Sequence, residues 1–294
     1  MSQALRRVEL PDQSPLVDRL TDREFARLAG LITDHVGIKL PPSKRTMVEG
    51  RLRRRVRSLG HSSLSDYCTF LLDQGGLKEE FAYLIDAVTT NKTDFFREAE
   101  HFACLENEIV PKLLSLRQSA RRPILKLWSA ASSTGAEAYT MAMVMADVAP
   151  RTAGLDFEIL GTDISTEVLA QARLAIYPRE MIAPVPSSMR DRYVMVGSSP
   201  GRRGEVRIVP ELRRKVRFVR LNLMDERYPF DSDMDVIFVR NVLIYFDKPT
   251  QDAVARRLAD HLRPGGFLVF GHSESVIGSS LRLRQWAPAV FQRL

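Results

Sequence analysis

The stretch WSAASSTGAEAYTMAM, residues 128–143, begins as an apolar strand end, passes through small and hydroxyl side chains, and finishes as a helix. From Ala130 to Gly135 no side chain is larger than threonine. A bare turn between a strand and a helix lets a ligand lie close to the chain. Tight strand-to-helix packing also selects small residues, and the segment is not a GxGxxG loop, so its reading depends on what surrounds it.

The surroundings repeat the pattern. ILKLWSA (124–130), FEILGTD (157–163), DVIFVRN (235–241) and GFLVFGH (266–272) are short apolar runs without alternation, as expected of strands covered on both faces in a parallel sheet. Helical spacing falls between them at 136–148, 165–174 and 249–262. This alternation predicts a doubly wound, Rossmann-like α/β domain. GEVRIVPELRRKVRFVRLNL (204–223) alternates in character after the turn GSSPGRRG (197–204), which predicts a small antiparallel β insertion over about 178–220. The end, APAVFQRL (287–294), reads as a final edge strand.

Upstream the periodicity is helical. Thr21 with Glu24 fits a capping box, and Phe25, Leu28, Ile32 and Val36 follow on one face before Gly37. A second helix is expected from about Ser43 to Gly60, with Val48, Leu52, Val56 and Leu59 on its apolar side. SLSDYCTFLLDQ (63–74) and LKEEFAYLIDAVTT (77–90) continue the pattern. The expected layout is an extended arm over 1–20, an all-helical domain over 21–88, a linker and helix over 89–120, and the α/β domain over 121–294.

Composition sets the limits. The chain has 294 residues, 45% hydrophobic and 27% charged, ordinary values for a globular protein. The start, MSQALRRVELPDQSP, lacks the apolar core of a signal peptide, and no apolar run reaches the roughly 18 residues of a membrane span. A cytoplasmic chain with no membrane insertion is expected. Cys68 and Cys104 stand apart from any CxxC or histidine pair and read as inert thiols, with no metal site expected. The net charge of +7 gives the sign of a partner rather than its kind.

Asp163 ends the second core strand, where a carboxylate accepts hydrogen bonds from both hydroxyls of a ribose. The bland alternative is a cap for the helix that follows, since Asp163 precedes Ser165. No phosphate loop or Walker lysine accompanies it, so the ligand carries adenosine without phosphates, as S-adenosylmethionine does. Ser129, Ser132 and Ser133 have no histidine and aspartate partners in sequence, which argues against hydrolase chemistry. His272 ends a strand and reads as a structural or cofactor-adjacent polar group rather than a base.

TTNKTDFFRE (89–98), the opening stretch, GTDIS (161–165) with ARLAIYP (172–178), LNLMD (221–225), DVIFVRNVLIYFDKPTQ (235–251) and GHSES (271–275) together resemble the CheR family of chemotaxis receptor glutamate methyltransferases. The likeness runs in order from about residue 20 to the end, with RNVLIYFDKPTQ its most specific part. It implies a class I methyltransferase domain, S-adenosylmethionine as cofactor and S-adenosylhomocysteine as product. It places Asn91, Thr93, Arg97, Glu137, Asp163, Asn222, Leu223, Arg240 and Asn241 around the cofactor, and Tyr245 beside the transferred methyl. Where the family has Glu-Glu-Pro after the glycine, this chain has Ala136, Glu137 and Ala138.

Such a reaction needs no base, because a glutamate with a pKa near 4.3 is already ionised at neutral pH. Arg97 and Tyr245 are therefore expected to orient the accepting carboxylate. Lys44, Arg45, Arg51, Arg53, Arg54, Arg55 and Arg57 face a single acid, Glu49, and Arg51, Arg53, Arg54, Arg55 and Arg57 form the expected dock for acidic chemoreceptor helices. The antiparallel insertion is a second expected dock, for a receptor carboxyl-terminal peptide added as a strand. A monomer suffices for this scheme. Two other readings are a nucleic-acid methyltransferase, for which no aromatic-interleaved basic platform is present, and a binding module with little turnover.

Overall fold

Thr21 starts the first helix as its sequence predicts. Its hydroxyl accepts the Glu24 N–H, the Glu24 carboxylate answers from the third position, and α1 (Asp22–Val36) runs until Gly37 turns left-handed at φ 73°. The computed structural model describes residues 18–89, 91–117, 122–197, 204–274 and 281–294. Most of the expected arm, up to residue 17, lies outside them, while Leu20 is buried against the helices. A 3-10 turn at Pro42–Lys44 leads into α2 (Arg45–Leu59), followed by α3 (Leu64–Asp73) and α4 (Leu77–Val88). Phe25, Ile32, Leu52, Val56, Tyr67 and Leu84 form their shared core. Leu59, expected on the apolar stripe of α2, is instead 39% exposed at its last turn.

α5 (Ala99–Cys104) and α6 (Val110–Ser115) are joined through one π turn at Leu105–Ile109 and lead to the sheet. The strands are β1 (Ile124–Ala130), β2 (Asp156–Asp163), β3 (Ile176–Pro178), β4 (Val194–Val196), β5 (Glu205–Ile208), β6 (Val216–Arg220), β7 (Met234–Val239), β8 (Leu262–Phe270), β9 (Leu283–Ala287) and β10 (Val290–Arg293). α7 (Ala136–Val148), α8 (Thr166–Leu174), α9 (Ser187–Tyr193), α10 (Pro210–Arg213) and α11 (Lys248–Asp260) complete the fold. The main sheet has seven strands in the order β6-β2-β1-β7-β8-β10-β9. β6, β2, β1, β7 and β8 run parallel, and β10 is antiparallel to both its neighbours. Trp128 of β1 is buried, and its indole N–H donates to Thr162 Oγ1 of β2 at 2.9 Å.

Two strand assignments differ from the sequence reading. The antiparallel insertion consists of β3, β5 and β4 and ends at Ile208, whereas β6 joins the main sheet, parallel to β2. β6 alternates because it is an edge strand, with Val216 and Phe218 buried and Arg217 exposed, and edge burial imitates the alternation of an antiparallel strand. The carboxyl-terminal strand β10 is not at the edge either. It is inserted between β8 and β9, and Val290 and Phe291 are buried in the cores on either side of the sheet.

Sheet order reverses about β1, so the crevice opens beyond the carboxyl ends of β1, β2, β6 and β7. No helix among the described residues is long and apolar enough to cross a membrane.

Candidate active site

The turn after β1 carries the opening stretch to this crevice. Ala131 and Ser133 hold φ of 61° and 49°, and five of the seven non-glycine residues with positive φ among those described, Phe96, Glu98, Ala131, Ser133 and Asn241, flank the same region. Backbone strain of roughly 1 kcal/mol or more at each such residue persists only where surrounding contacts hold it, and functional sites are where it collects. The crevice holds about 960 Å³ of space, part of it open to solvent. Asn91, Thr93, Arg97, Glu137, Asp163, Asn222, Leu223, Arg240, Asn241 and Tyr245 all line it. Val36 and Ile38, from the end of α1 and the turn beyond, form part of its apolar wall.

Asp163 accepts the Ser133 N–H on one oxygen and the Ser165 N–H on the other, each at 2.9 Å. Ser165, rather than Asp163, caps α8, through its side chain and the Val168 N–H. Burial pushes the Asp163 carboxyl up from the usual carboxylate range, and the backbone donors around it oppose that shift. A carboxylate has about four acceptor directions, and the backbone donors of Ser133, Ser165 and Ile164 leave room on it for a ligand.

Glu137, in the first turn of α7, accepts the Ser129 hydroxyl at 2.7 Å and lies 3.3 Å from Arg240 Nη1. Burial raises its pKa and the Arg240 charge opposes that. Arg240 is itself buried at the end of β7, 3.3 Å from Glu98, and donates to the Arg97 carbonyl. Its Nε and Nη1 make no well-formed hydrogen bond among the described residues. Buried polar atoms of this kind call for a partner.

Arg97 behaves differently. It donates to the Lys92 carbonyl at 3.2 Å, and the nearby acids Glu98 and Glu100 pair instead with Arg240 and His272. Tyr245 ends the 3-10 turn Leu243–Tyr245, with the Lys44 ammonium 5.1 Å from its ring centroid. The Lys39 N–H donates to the Tyr245 carbonyl at 3.1 Å, and the Asn222 amide donates to the His35 carbonyl at 2.7 Å. Both bonds fasten the helical domain over the crevice.

The arginines of α2 divide in two. Arg51 donates to the Ala87 and Thr89 carbonyls, Arg53 to the Asp18 carbonyl, and Arg55 forks onto buried Glu80 at 2.8 and 2.6 Å while stacking on Tyr83. These are fold contacts. Arg54 is exposed, with no ion pair or hydrogen bond among the described residues, and Arg57 is exposed and bonds only to the Arg53 carbonyl. Arg51, Arg54 and Arg55 share a shallow groove with Tyr83, Thr166 and Glu167, away from the crevice.

Three contributors escaped sequence reasoning. Glu98 accepts from Asn241 Nδ2 at 3.1 Å and from the His272 N–H at 3.3 Å; Glu274 accepts from the backbone N–H groups of Asn241, Leu243 and Ile244; Lys44 sits over Tyr245. Only Lys44 left a signal, as part of the basic run. Ser129 and Ser133 are spent on Glu137 and the Asn91 carbonyl, which forms no hydrolytic triad. Glu98, His101 and His272 bring possible ligand atoms within 4.8 Å of one another, although Glu98 is already engaged by Arg240 and Asn241, and His272 by Glu100. Cys68 and Cys104 are pushed up to about 12 and about 11 by burial, as inert thiols are.

Fold and crevice together define an S-adenosylmethionine-dependent methyltransferase preceded by an all-α domain. Residues 91–288 match the family described as CheR methyltransferase, SAM binding domain, and residues 23–89 match CheR methyltransferase, all-alpha domain. The chain belongs to the CheR methyltransferase family. It is 40% identical to the chemotaxis protein methyltransferase of Escherichia coli K12, over 87% of this chain and 85% of that one. The chemotaxis protein methyltransferase of Borreliella burgdorferi is 34% identical over 93% and 95% of the two chains. Chemotaxis protein methyltransferase 2 of Pseudomonas aeruginosa is 36% identical over 92% and 93%.

Proposed function

We propose that this chain is a cytoplasmic protein-glutamate O-methyltransferase that moves the methyl of S-adenosylmethionine to glutamates on chemoreceptor helices. The observation that carries the reading is Arg97: a guanidinium with no carboxylate in ion-pair contact among the described residues, lining the same crevice as Tyr245 and the expected cofactor residues.

The crevice fits the cofactor. Asp163 has acceptor room left for the ribose hydroxyls, Glu137 suits the methionine ammonium, and the Arg240 guanidinium, whose Nε makes no hydrogen bond among the described residues, suits its carboxylate. Asn222, Leu223 and Ile38 supply the adenine walls, with Asn91, Thr93 and Asn241 at the remaining rim. When bound, S-adenosylmethionine supplies a methyl carbon made electrophilic by its sulfonium.

The protein's part is alignment. Arg97 forks onto the incoming carboxylate without moving a proton, and the Tyr245 hydroxyl fixes its second oxygen. Val36, Ile38 and Phe246 keep water from the charged nucleophile. No base is required, since the glutamate is ionised beforehand. Esterification removes a negative charge from the receptor helix and shifts its signalling equilibrium, to be reversed by a methylesterase.

Arg54 and Arg57 are the charges free to steer acidic receptor helices, and the β4 edge of the antiparallel sheet, where Met195 and Val196 are exposed, suits a receptor tail. The commitment of Arg51, Arg53 and Arg55 to the fold leaves less free cationic surface for nucleic acid. The test is transfer of labelled methyl to a chemoreceptor cytoplasmic fragment, followed by mild alkali. Release as methanol supports the ester; alkali-stable label removes the glutamate assignment. Cofactor binding without transfer favours the binding module.

A further inference from the structure

We propose that Glu274 is a positioning residue for methyl transfer, its buried carboxylate gathering the backbone N–H groups of the 241–244 loop and so setting the place of Tyr245. The inference rests on the proposed reaction and adds a residue that reaches neither cofactor nor substrate.

Glu274 closes the 3-10 turn His272–Glu274 just after β8 and is 1% exposed. One oxygen accepts the Asn241 and Gly271 N–H groups at 2.7 and 3.0 Å; the other accepts those of Leu243 and Ile244 at 2.7 and 3.3 Å. No lysine, arginine or histidine pairs with it among the described residues. A buried charge is thus balanced by backbone dipoles alone, a costly arrangement that a loop does not need merely to stay folded.

What the carboxylate gains is placement. Asn241 is held at φ 59°, a conformation few side chains adopt, and its N–H is one of the four captured groups. The other oxygen holds Leu243 and Ile244, the two residues directly before Tyr245. Without it, four backbone donors lose their acceptor, those of Leu243 and Gly271 fully buried, and the turn loses a contact that joins it to the end of β8. Burial pushes the Glu274 carboxyl up, and the same backbone donors oppose the shift.

The experiment is steady-state transfer to a chemoreceptor cytoplasmic fragment by wild type, Glu274→Gln, Tyr245→Phe and the double variant. Glutamine keeps the size and one acceptor oxygen but turns an NH2 toward one pair of donors. The expected result is a kcat loss of about tenfold or more in Glu274→Gln, with S-adenosylhomocysteine affinity and the KM for S-adenosylmethionine within about threefold. In the Tyr245→Phe background the same change costs less than about threefold, because the two residues act as one unit. Unchanged kcat, or losses that simply multiply, overturns the proposal. If Glu274→Gln does not fold, Gly271→Ala applies the same test with the charge retained, since its Cβ would meet Glu274 Oε2 and Asn241 Nδ2 at 2.8 Å. It too must lower kcat and be masked by Tyr245→Phe; multiplying losses count against the proposal. A wild type that yields no alkali-labile methyl overturns the reaction itself, an outcome separate from either variant result.

Discussion

Arg97 and Arg240 lie on one crevice and differ in what they are free to do. Arg240 is buried between Glu98 and Glu137, so Arg240→Ala leaves two desolvated carboxylates facing each other and costs about 3 kcal/mol or more of stability, read from urea unfolding. Arg97→Ala breaks no such pair. It is expected to lower methyl transfer about a hundredfold while S-adenosylhomocysteine affinity, measured by calorimetry, changes less than about threefold; equal losses would move Arg97 into the cofactor site. His101 offers a prediction in pH. Burial, helped by the Arg240 charge, lowers its pKa to about 4, so the folded state keeps the ring neutral while the unfolded chain takes up a proton near 6.5. The stability from that neutral ring is whole above pH 6.5 and is lost as pH falls toward 4. At pH 5 the loss reaches about 2 kcal/mol, and a folded His101→Asn variant should show a correspondingly smaller drop in its urea midpoint between pH 7.5 and 5. Asp163 and Glu137 were legible because each follows a strand end or opens a helix beside a recognisable motif. Glu98 and Glu274 were not, because their partners are 143 and 33 residues away and only the fold brings them together.

Helix α2 shows how a charge run misleads when read as a surface. Its arginines outnumber its acids in sequence, yet Arg55 is needed by Glu80, which also accepts the Tyr67 hydroxyl at 3.0 Å. Arg55→Ala strands that carboxylate in the helical core and should cost about 3 kcal/mol in thermal or urea unfolding. Arg54→Ala should leave stability within about 0.5 kcal/mol and instead slow association with an acidic receptor fragment, with the difference vanishing at high salt. Sequence gave the sign of the helix but could not divide structural from free arginines, since a carbonyl or a distant acid leaves no periodic mark. Strand β6 taught the converse: its alternation was real but reported an edge position, not an antiparallel neighbour. Helix caps, by contrast, were readable, because Thr21 and Glu24 settle theirs within a few residues.

Across the whole molecule, Gly37 sits where the helices meet the methyltransferase domain. It is left-handed at φ 73°, and a Cβ there would meet Met224 Sδ at 2.7 Å and Phe246 at 2.8 Å. Gly37→Ala is therefore expected to push α1 away from the crevice, weakening S-adenosylhomocysteine binding about tenfold in calorimetry while the circular dichroism of helices and sheet stays the same. Two domains and their order were evident from the change of periodicity. Their mutual docking was not, because Asn222 and His35 are 187 residues apart and neither belongs to an amphipathic pattern.

That seam makes the catalyst a joint possession. Lys39 holds the backbone of Tyr245, Lys44 overlies its ring, and Val36 and Ile38 wall the crevice. The sheet domain by itself retains Asp163 and Glu137 but has no roof, so a ligand can enter it and leave without being enclosed. A cofactor bound as proposed is therefore walled by both domains at once, and a substitution on either side of the seam reaches the same ligand.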